Sequence, residues 1–185
     1  MSLIEEILSI ENLNEAIKRV KANKGASGID KMSVDILEPY FNEHRKEIIE
    51  SIMNKAYRPK PVRRVYIPKS NGKLRPLGIP TVVDRVIQQA IAQRLIPIYE
   101  NIFSDFSYGF RPSRDCHTAM NKVLEYLNQG FEWVIDLDIE KYFDTVNHDK
   151  LISILREQVN DSHIIEGLRL QMMLLNAINL EYLNK

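Results

Sequence analysis

Acidic side chains at the end of an apolar run are the part of this sequence best suited to chemistry. The run Trp133-Val-Ile-Asp-Leu-Asp-Ile-Glu-Lys-Tyr-Phe-Asp144 places Asp136 and Asp138 at alternating positions. A carboxylate at the end of a strand, followed at once by a turn, is a common way to hold a hard divalent cation beside a phosphate. The pattern therefore predicts a phosphoryl-transfer site in which Asp138 binds metal, while Asp136 is more readily interpreted as a structural residue.

The charges of the chain are balanced in number but segregated in position. Lysine plus arginine and aspartate plus glutamate each count 25, so net charge indicates no particular partner. Between Lys55 and Arg85, however, nine residues are basic and only Asp84 is acidic, whereas residues 132–144 hold five acidic residues and one lysine. A basic surface and an acidic pocket suit a protein that binds phosphates and metal ions, with ordinary solvated faces as the alternative.

Cysteine count and hydropathy exclude several classes of protein. Cys116 is the only cysteine, which rules out an internal disulfide and, with only His117 nearby, a zinc site; we expect a small buried side chain. No apolar stretch approaches the roughly 20 residues that span a bilayer. The N-terminus also lacks the layout of a signal peptide. We therefore expect a cytoplasmic protein without membrane contact.

Hydrophobic periodicity predicts an α+β chain, with helices around a short antiparallel sheet. The runs 62–68 and 74–79 flank Ser70-Asn71-Gly72-Lys73, which is a strong hairpin signal. Residues 131–138, including Trp133, are predicted to be a buried strand. Helices are predicted at 12–23, from a cap at Ser33 to Met53 with Pro39 near the start or at a kink, from Thr81 or Asp84 to a bend or end at Pro97, through 119–127 to a cap at Gly130, and after Asn147.

Four motifs, in a fixed order, carry a resemblance to one family. They are Asn23-Lys-Gly-Ala-Ser-Gly-Ile-Asp30, Ile67-Pro-Lys-Ser-Asn-Gly-Lys-Leu-Arg-Pro-Leu-Gly-Ile-Pro-Thr81, Ser107-Tyr-Gly-Phe-Arg-Pro-Ser-Arg114, and Asp138-Ile-Glu-Lys-Tyr-Phe-Asp144 with Asn147-His148. The set resembles the fingers and early palm of a bacterial group II intron reverse transcriptase/maturase, over roughly residues 12 to 167. The resemblance implies a right-hand polymerase fold with an incomplete palm. Its expected parts are an N-terminal extension of the fingers (1–57), the fingers (58–130), the start of the palm (131–167) and a divergent tail (168–185).

The resemblance also implies roles for individual residues. Asp138 is expected to be the first catalytic aspartate and, with the backbone carbonyl of Ile139, a ligand of Mg²⁺. The side chains expected to contact the incoming dNTP are Lys69, Arg75, Arg111 and Phe143, the last by excluding a 2′-hydroxyl. The residues expected to bind RNA are Lys24, Gly25, Arg63, Arg64 and Lys73. Tyr108 and Phe110 belong either to the nucleotide path or to the core, and Asp144 and His148 are expected to orient their loop.

The implied function is that of the N-terminal part of an RNA-directed DNA polymerase acting in intron splicing and mobility. Its expected partners are intron RNA, an RNA template and a DNA primer, and a homodimer is compatible with them. The sequence contains no Tyr-Ala-Asp-Asp pair, and one carboxylate cannot hold two Mg²⁺ ions, so we expect no polymerisation by this chain alone. The alternatives are a non-catalytic RNA-binding module and a degenerate remnant, for which unpaired palm edges predict poor folding.

Overall fold

The regular secondary structure of the described residues is helical apart from one β-hairpin. The computed structural model describes residues 2–168 except 69, 71, 140 and 141, with their side chains except those of Phe143 and Asp144. In chain order the elements are α1 (Leu3–Ile7), α2 (Ile10–Ala22), α3 (Leu37–Met53), β1 (Arg63–Pro68), β2 (Leu74–Ile79), α4 (Val82–Glu100), α5 (Cys116–Asn128), α6 (Tyr142–Thr145) and α7 (His148–Gln158). Residues 162–168 are also helical.

Packing divides the chain into two compact units. Unit 1 comprises Met1–Arg94 and Phe143–Lys185, and unit 2 comprises Leu95–Tyr142. The four-part division predicted above is based on resemblance to family motifs, whereas these two units are defined by contacts within the fold. The four-part division stays a prediction. Among the residues that the structure describes, every helix is too short or too polar to traverse a lipid bilayer.

The core of unit 1 is formed by apolar side chains from helices that are distant in sequence. Its buried members are Ile4, Ile7, Leu8, Leu13, Ala16, Ile17, Val20, Leu37, Phe41, Val82, Val86, Ile87, Ala90, Ile91, Ile152, Val159, Ile164 and Ile165. Asn12 is buried among them and donates to the backbone carbonyls of Ile7 at 2.8 Å and Ala90 at 3.0 Å. Its side-chain oxygen accepts from the Gln93 amide at 2.8 Å. Because the buried amide is fully hydrogen-bonded, it fastens the first turn of α2 to α4.

A single carboxylate joins the first helix of unit 1 to its last described helix. One oxygen of Asp161 accepts from the backbone N–H of Ile4 in α1 at 3.3 Å. The other accepts from the N–H of His163 at 2.9 Å, at the start of the 162–168 helix. Both donors are first-turn amides that have no partner within their own helix. Asp161 therefore caps the 162–168 helix and also bonds a first-turn amide of α1, beside the Ser2 cap of that helix.

The predicted hairpin is confirmed, with boundaries shifted by at most one residue. Strands β1 and β2 are antiparallel and pair from Arg63 with Ile79 to Pro68 with Leu74. Gly72 lies in the connecting turn with a φ of +78°, a conformation that glycine adopts without strain. The two strands form a two-stranded sheet, so both of them are edges.

The helix predictions are confirmed, with corrections at the starts of α3 and α2. The helix begins at Leu37 and not at Ser33, because the Ser33 hydroxyl accepts from the backbone N–H of Asp35 at 3.3 Å and forms a turn instead of a cap. Pro39 lies in the first turn of α3, where its missing N–H removes no helical hydrogen bond. Helix α2 begins two residues earlier than expected because Ser9, and not a later residue, caps it.

The ends of α4 and α5 show local chemistry that the sequence predicted. The Thr81 hydroxyl accepts from the backbone N–H of Asp84 at 3.1 Å, so Thr81 is the cap of α4. The predicted end at Pro97 is wrong, because α4 continues through Pro97 to Glu100; a bend there stays a prediction. After α5, the N–H of Gly130 bonds to the carbonyl of Leu127 and that of Phe131 to the carbonyl of Tyr126, which is the Schellman arrangement. Gly130 has the φ of +90° that this arrangement requires.

The prediction of a buried strand at residues 131–138 is wrong for this structure. Residues 131–139 have no helical or strand conformation and are exposed, Trp133 at 94% and Leu137 at 88%. A strand requires a neighbour for its backbone N–H and C=O groups. Within the described residues the only strands are β1 and β2, which pair with each other. Cys116 is likewise exposed and not buried as expected, because it begins α5 on the surface of unit 2.

The loop between α2 and α3 approaches the start of α4 closely at Gly28. A Cβ atom on Gly28 would lie 2.7 Å from Thr81 Cα and 2.9 Å from the Pro80 carbonyl oxygen. These are backbone atoms, so the contact cannot be relieved by rotating a side chain. The absence of a side chain at Gly28 is therefore a packing requirement.

We expect Gly28→Ala to lower the free energy of unfolding by about 1 to 3 kcal/mol, as overpacking does. Gly167→Ala is the matched control, because Gly167 is helical and a Cβ there would meet no atom of the described residues within 4 Å. Alanine in a helix is favoured over glycine by up to about 1 kcal/mol, so the control is expected to be neutral or stabilised. Urea unfolding followed by circular dichroism measures both, and equal stability of the two variants would contradict the packing requirement.

Candidate nucleic-acid interface and metal-ligand segment

The two faces of the hairpin carry different cations. Because side chains alternate along a strand, the register places Arg63 and Arg75 on one face and Arg64 on the other. Arg63 and Arg75 share their face with Val65, Ile67, Leu77 and Ile79. The base of the hairpin is half-buried and its tip is exposed, so Arg63 lies near the body of unit 1 and Arg75 towards solvent.

Arg63 has an unused donor at the base of the hairpin. Its Nε atom is buried and has no hydrogen-bond acceptor among the described residues. A buried N–H without an acceptor costs free energy, and each instance in a folded protein needs an explanation. A phosphate or base oxygen from a bound ligand would supply the missing acceptor.

The glycine-containing loop that holds Lys24 and Gly25 lies against Arg85. The Arg85 guanidinium donates to the Ala26 carbonyl at 2.7 Å, and a Cβ on Gly25 would collide with that guanidinium. Burial lowers the pKa of Arg85, and the nearby Asp30 carboxylate opposes that shift. Lys24 is exposed, with a φ of +46° at the end of α2. Lys24 is therefore exposed to solvent in a loop whose backbone is hydrogen-bonded to Arg85 at Ala26.

Asp84 is buried in the first turn of α4 and collects three hydrogen bonds. Its carboxylate accepts from the Tyr57 hydroxyl at 2.6 Å, the Thr81 hydroxyl at 2.6 Å and the backbone N–H of Lys60 at 3.2 Å. Burial, and after it the charge of Asp84, raises the pKa of Tyr57 far above its usual value. The phenol therefore remains a hydrogen-bond donor at every pH at which the protein is handled.

The predicted metal ligands lie in the exposed segment of unit 2. The Asp138 side chain is exposed and makes no hydrogen bond or ion pair with the described residues, and Ile139 is 66% exposed. A carboxylate and a backbone carbonyl are the hard oxygen donors that Mg²⁺ prefers. Within the described part of the chain, no group of three or more His, Cys, Asp or Glu side chains lies close enough to hold a metal ion. The donor chemistry fits Mg²⁺, and further ligands have to come from elsewhere.

Two predicted ligand-contacting side chains cannot be placed. Lys69 lies outside the described residues, as does the side chain of Phe143. The side chain of Asp144 falls under the same limit. The predicted roles of these three residues stay predictions.

Arg111 is fully engaged within unit 2. Its Nε and Nη2 donate to the Glu100 carboxylate, at 3.1 and 2.7 Å, and its Nη1 donates to the carbonyls of Ser104 at 2.6 Å and Ser107 at 3.0 Å. Hydrogen bonds from this guanidinium lower the pKa of Glu100. All five N–H groups of Arg111 have protein acceptors, since Nη2 also reaches the Glu100 carbonyl. This arrangement indicates that Arg111 orders the loop between α4 and α5, and direct nucleotide contact by Arg111 stays a prediction.

The aromatic residues of this loop are placed differently from each other. Phe110 is fully exposed with a φ of +57°, which excludes a core position for it within unit 2. Tyr108 is half-buried under the Arg114 guanidinium, 5.6 Å from the ring centroid. Of the two, only Phe110 presents its ring fully to solvent.

The sequence pattern does not indicate a functional role for the most connected residues around the hairpin and the glycine-containing loop. It predicts Asp84 only as a possible helix cap and indicates no role for Tyr57, Gly28 or Arg85. One signal was present, because Asp84 is the only acidic residue among the nine basic ones of residues 55–85. A lone carboxylate in such a stretch is expected either to be solvated or to be a buried acceptor, and sequence alone does not separate the two.

We expect Arg111→Lys to loosen the loop that Arg111 holds, because one ammonium cannot reach the Glu100 carboxylate and two carbonyls together. Loss of charge-assisted hydrogen bonds of this kind costs about 1.5 to 3 kcal/mol each, which corresponds to roughly 10- to 100-fold faster amide exchange. Hydrogen exchange at Phe103 and Ser107, whose N–H groups are bonded within the loop, measures the effect. Arg114→Lys is the control, since among the described residues the Arg114 side chain donates only to Asp105 and otherwise lies over the Tyr108 ring; equal exchange in both variants would show that Arg111 does not order the loop.

Comparisons with known proteins bear on the family of this chain. The family model described as reverse transcriptase (RNA-dependent DNA polymerase) matches residues 67–180, which include β2 and Asp138. Protein YkfC of Escherichia coli K12 is 39% identical over 169 residues, covering 88% of this chain and 44% of that protein. The group II intron-encoded protein LtrA of Lactococcus lactis is 41% identical over 147 residues, covering 79% of this chain and 24% of that protein. This chain thus spans less than half the length of these relatives.

A solved structure supports the fold. The chain aligns with a chain of a partial Cas6-RT-Cas1–Cas2 complex at a TM-score of 0.57 and 21% identity, covering 92% of this chain and 28% of the other. The putative COX1/OXI3 intron 2 protein of Saccharomyces cerevisiae is 32% identical over 89% of this chain. With a family model that covers more than half of its residues, helices around an antiparallel hairpin and the aspartate segment in the matched region, this chain belongs to the reverse transcriptase (RNA-dependent DNA polymerase) family.

Proposed function

We propose that this chain provides the RNA-binding fingers and the first metal-ligand segment of an RNA-directed DNA polymerase that acts on intron RNA. The observation that carries the proposal is the basic hairpin, which places Arg63 and Arg75 on one face. Arg75 lies inside the region that matches the family, and Arg63 lies four residues before that region begins. Its relatives include group II intron-encoded proteins. The activity of the whole enzyme, in splicing and in mobility, is part of the proposal, as is a cytoplasmic location.

The proposed RNA contacts are the cations of the loop and the hairpin. Lys24 and the backbone of Gly25 would contact phosphates of the template or the intron RNA, as would Arg63, Arg64 and Lys73. The Nε–H of Arg63, which lacks an acceptor among the described residues, fits this role because a phosphate oxygen would satisfy it. Lys69 and Arg75 would hold the triphosphate of the incoming dNTP, and Phe143 would exclude a 2′-hydroxyl.

The proposed metal is Mg²⁺, held by Asp138 and the Ile139 carbonyl together with ligands that the described residues do not contain. Bound at this position, the ion would neutralise triphosphate charge and activate the 3′-hydroxyl of a DNA primer. Asp138 suits that task because its carboxylate is exposed and engaged with no described residue. Arg111 would act indirectly, by ordering the loop after α4.

RNA binding is the first testable consequence. We expect the double variant Arg64→Gln, Lys73→Gln to bind single-stranded RNA more weakly, with a salt dependence of log K that is shallower by roughly 1.4, or about 0.7 for each lost phosphate contact. Fluorescence anisotropy at several salt concentrations measures both quantities.

The matched control for that experiment removes two lysines from other elements. Lys46→Gln, Lys150→Gln changes the net charge equally, at exposed positions in α3 and α7. We expect the control to keep the wild-type slope, because only localised contacts release counterions from the RNA. Equal slopes for the two double variants would contradict a binding role for the hairpin.

Primer extension separates binding from catalysis. We expect this chain alone to give no extension of a DNA primer on an RNA template with Mg²⁺ and dNTPs, since a single carboxylate cannot position two metal ions. Asp138→Ala is expected to leave RNA affinity unchanged, because a carboxylate does not attract phosphates. Extension by the wild-type chain that disappears in Asp138→Ala would overturn the expectation.

A further inference from the structure

The carboxylate of Asp84 is connected to both ends of the hairpin. Lys60, whose backbone N–H it accepts, lies three residues before β1 begins, and Thr81, whose hydroxyl it accepts, lies two residues after β2 ends. The side chain itself is 2% exposed and belongs to the first turn of α4. One buried group therefore binds the incoming and the outgoing chain of the hairpin to the same helix.

Hydrogen bonds are directional, and this determines what such a connection can do. Apolar contacts at the base of a hairpin permit small rotations, since dispersion depends weakly on angle. A carboxylate that accepts two hydroxyl bonds at 2.6 Å fixes the donors in distance and in angle. The hairpin has no further strand beside it in the described structure, so its base is where its orientation can be set.

The same helical turn also holds the glycine-containing loop. Arg85 follows Asp84 directly and donates to the Ala26 carbonyl at 2.7 Å. Gly28 packs against the Thr81 backbone so closely that no side chain fits. Residues 81–85 thus contact the loop that presents Lys24 as well as the hairpin that presents the arginines.

We propose that Asp84 is a positioning residue: with Thr81 and Arg85 it forms a rigid base that holds the hairpin and the glycine-containing loop so that their cations meet RNA phosphates together. This inference rests on the proposed function, since it assigns a purpose to the RNA-binding residues. Preorganised cations bind a polyanion at a lower entropic cost than cations on a mobile hairpin. Fewer phosphates are neutralised at once when the base is loosened, so the salt dependence of binding becomes shallower.

The chain offers a pair of variants that differ in which bond to Asp84 they remove. Thr81→Val and Tyr57→Phe each remove one hydroxyl that donates to Asp84 at 2.6 Å. The Thr81 hydroxyl also accepts from the backbone N–H of Asp84, so Thr81→Val removes the cap of α4 as well, and the exchange of the first-turn amides of α4 is measured beside that of the hairpin. Thr81 attaches the end of the hairpin, whereas Tyr57 belongs to the segment after α3, and its loss leaves the Lys60 and Thr81 bonds in place. Asp84→Asn is the conservative variant, because an amide can accept from Lys60 and Thr81 through its oxygen while donating to the Tyr57 oxygen.

The first measurement is hydrogen exchange, which does not depend on RNA. We expect the amides of β1 and β2 to exchange at least tenfold faster in Thr81→Val than in the wild type, relative to the amides of α2 in the same molecule. In Tyr57→Phe and Asp84→Asn the ratio of hairpin to α2 exchange is expected to stay within about threefold of the wild type. A uniform increase over hairpin and helix alike in Thr81→Val would mean general destabilisation and would overturn the proposal.

The second measurement is the salt dependence of RNA affinity, made where circular dichroism shows each variant to be folded. A partly unfolded variant binds with reduced apparent affinity but with an unchanged slope, because its folded fraction makes every contact. Thr81→Val is expected to give a shallower slope, and Tyr57→Phe and Asp84→Asn the wild-type slope. Selective loosening of the hairpin without a change of slope would overturn the positioning role.

The two measurements separate failure of this inference from failure of the proposed function. Absence of RNA binding by the wild-type chain would overturn the proposed function and with it the purpose assigned to Asp84. Hydrogen exchange would still show whether Asp84 holds the hairpin. RNA binding with the expected slope in the wild type, and identical exchange and slope in Thr81→Val, would leave the proposed function standing and overturn this inference alone.

Discussion

The orientation of helix α4 is the constraint on which the rest of unit 1 depends. Near its middle, the buried amide of Asn12 bonds to the Ala90 carbonyl and to Gln93, so that α2 is fixed against it. In its first turn, Asp84 collects bonds from segments on either side of the hairpin. Apolar burial of Val86 and its neighbours drives the helix into the core, and these few polar groups decide which rotation about its axis is used.

Elements defined by local chemistry could be predicted from the sequence. The apolar stripe of α4, the Asn-Gly turn between β1 and β2 and the glycine after α5 each act within a few residues, so their signals are complete in the chain itself. The boundaries that differ, at the starts of α2 and α3, depend on which backbone amides Ser9 and Ser33 bond to in the folded chain. The order of the family motifs likewise predicted the relationship to reverse transcriptases, which the family match confirms.

Long-range partners could not be predicted, because a residue type states what it can bond and not with whom. The donors to Asp84 lie up to 27 residues away from it in sequence. Asn12 and Gln93, which are bonded to each other, lie 81 residues apart. Residues 131–139 show the opposite case. Their apolar composition is typical of a central strand, yet strand conformation depends on a neighbour that the described residues do not offer. Apolar composition therefore does not predict a strand by itself, because the neighbouring strand is a separate requirement.

The pair of hydrogen bonds at Asp161 has a consequence for how the protein comes to be folded. Its bond to Ile4 joins residues separated by 157 positions, so the first helix waits for nearly all of the described chain before its terminal amide is satisfied. At a synthesis rate of about 5 to 20 residues per second, that delay is roughly 8 to 30 s on the ribosome. A helix of five residues does not persist alone for such a time. Its apolar residues Ile4 and Ile7 line a cavity together with Ile87, Ile91 and Ile164, so the lining of that cavity is complete only after residue 164 has been synthesised.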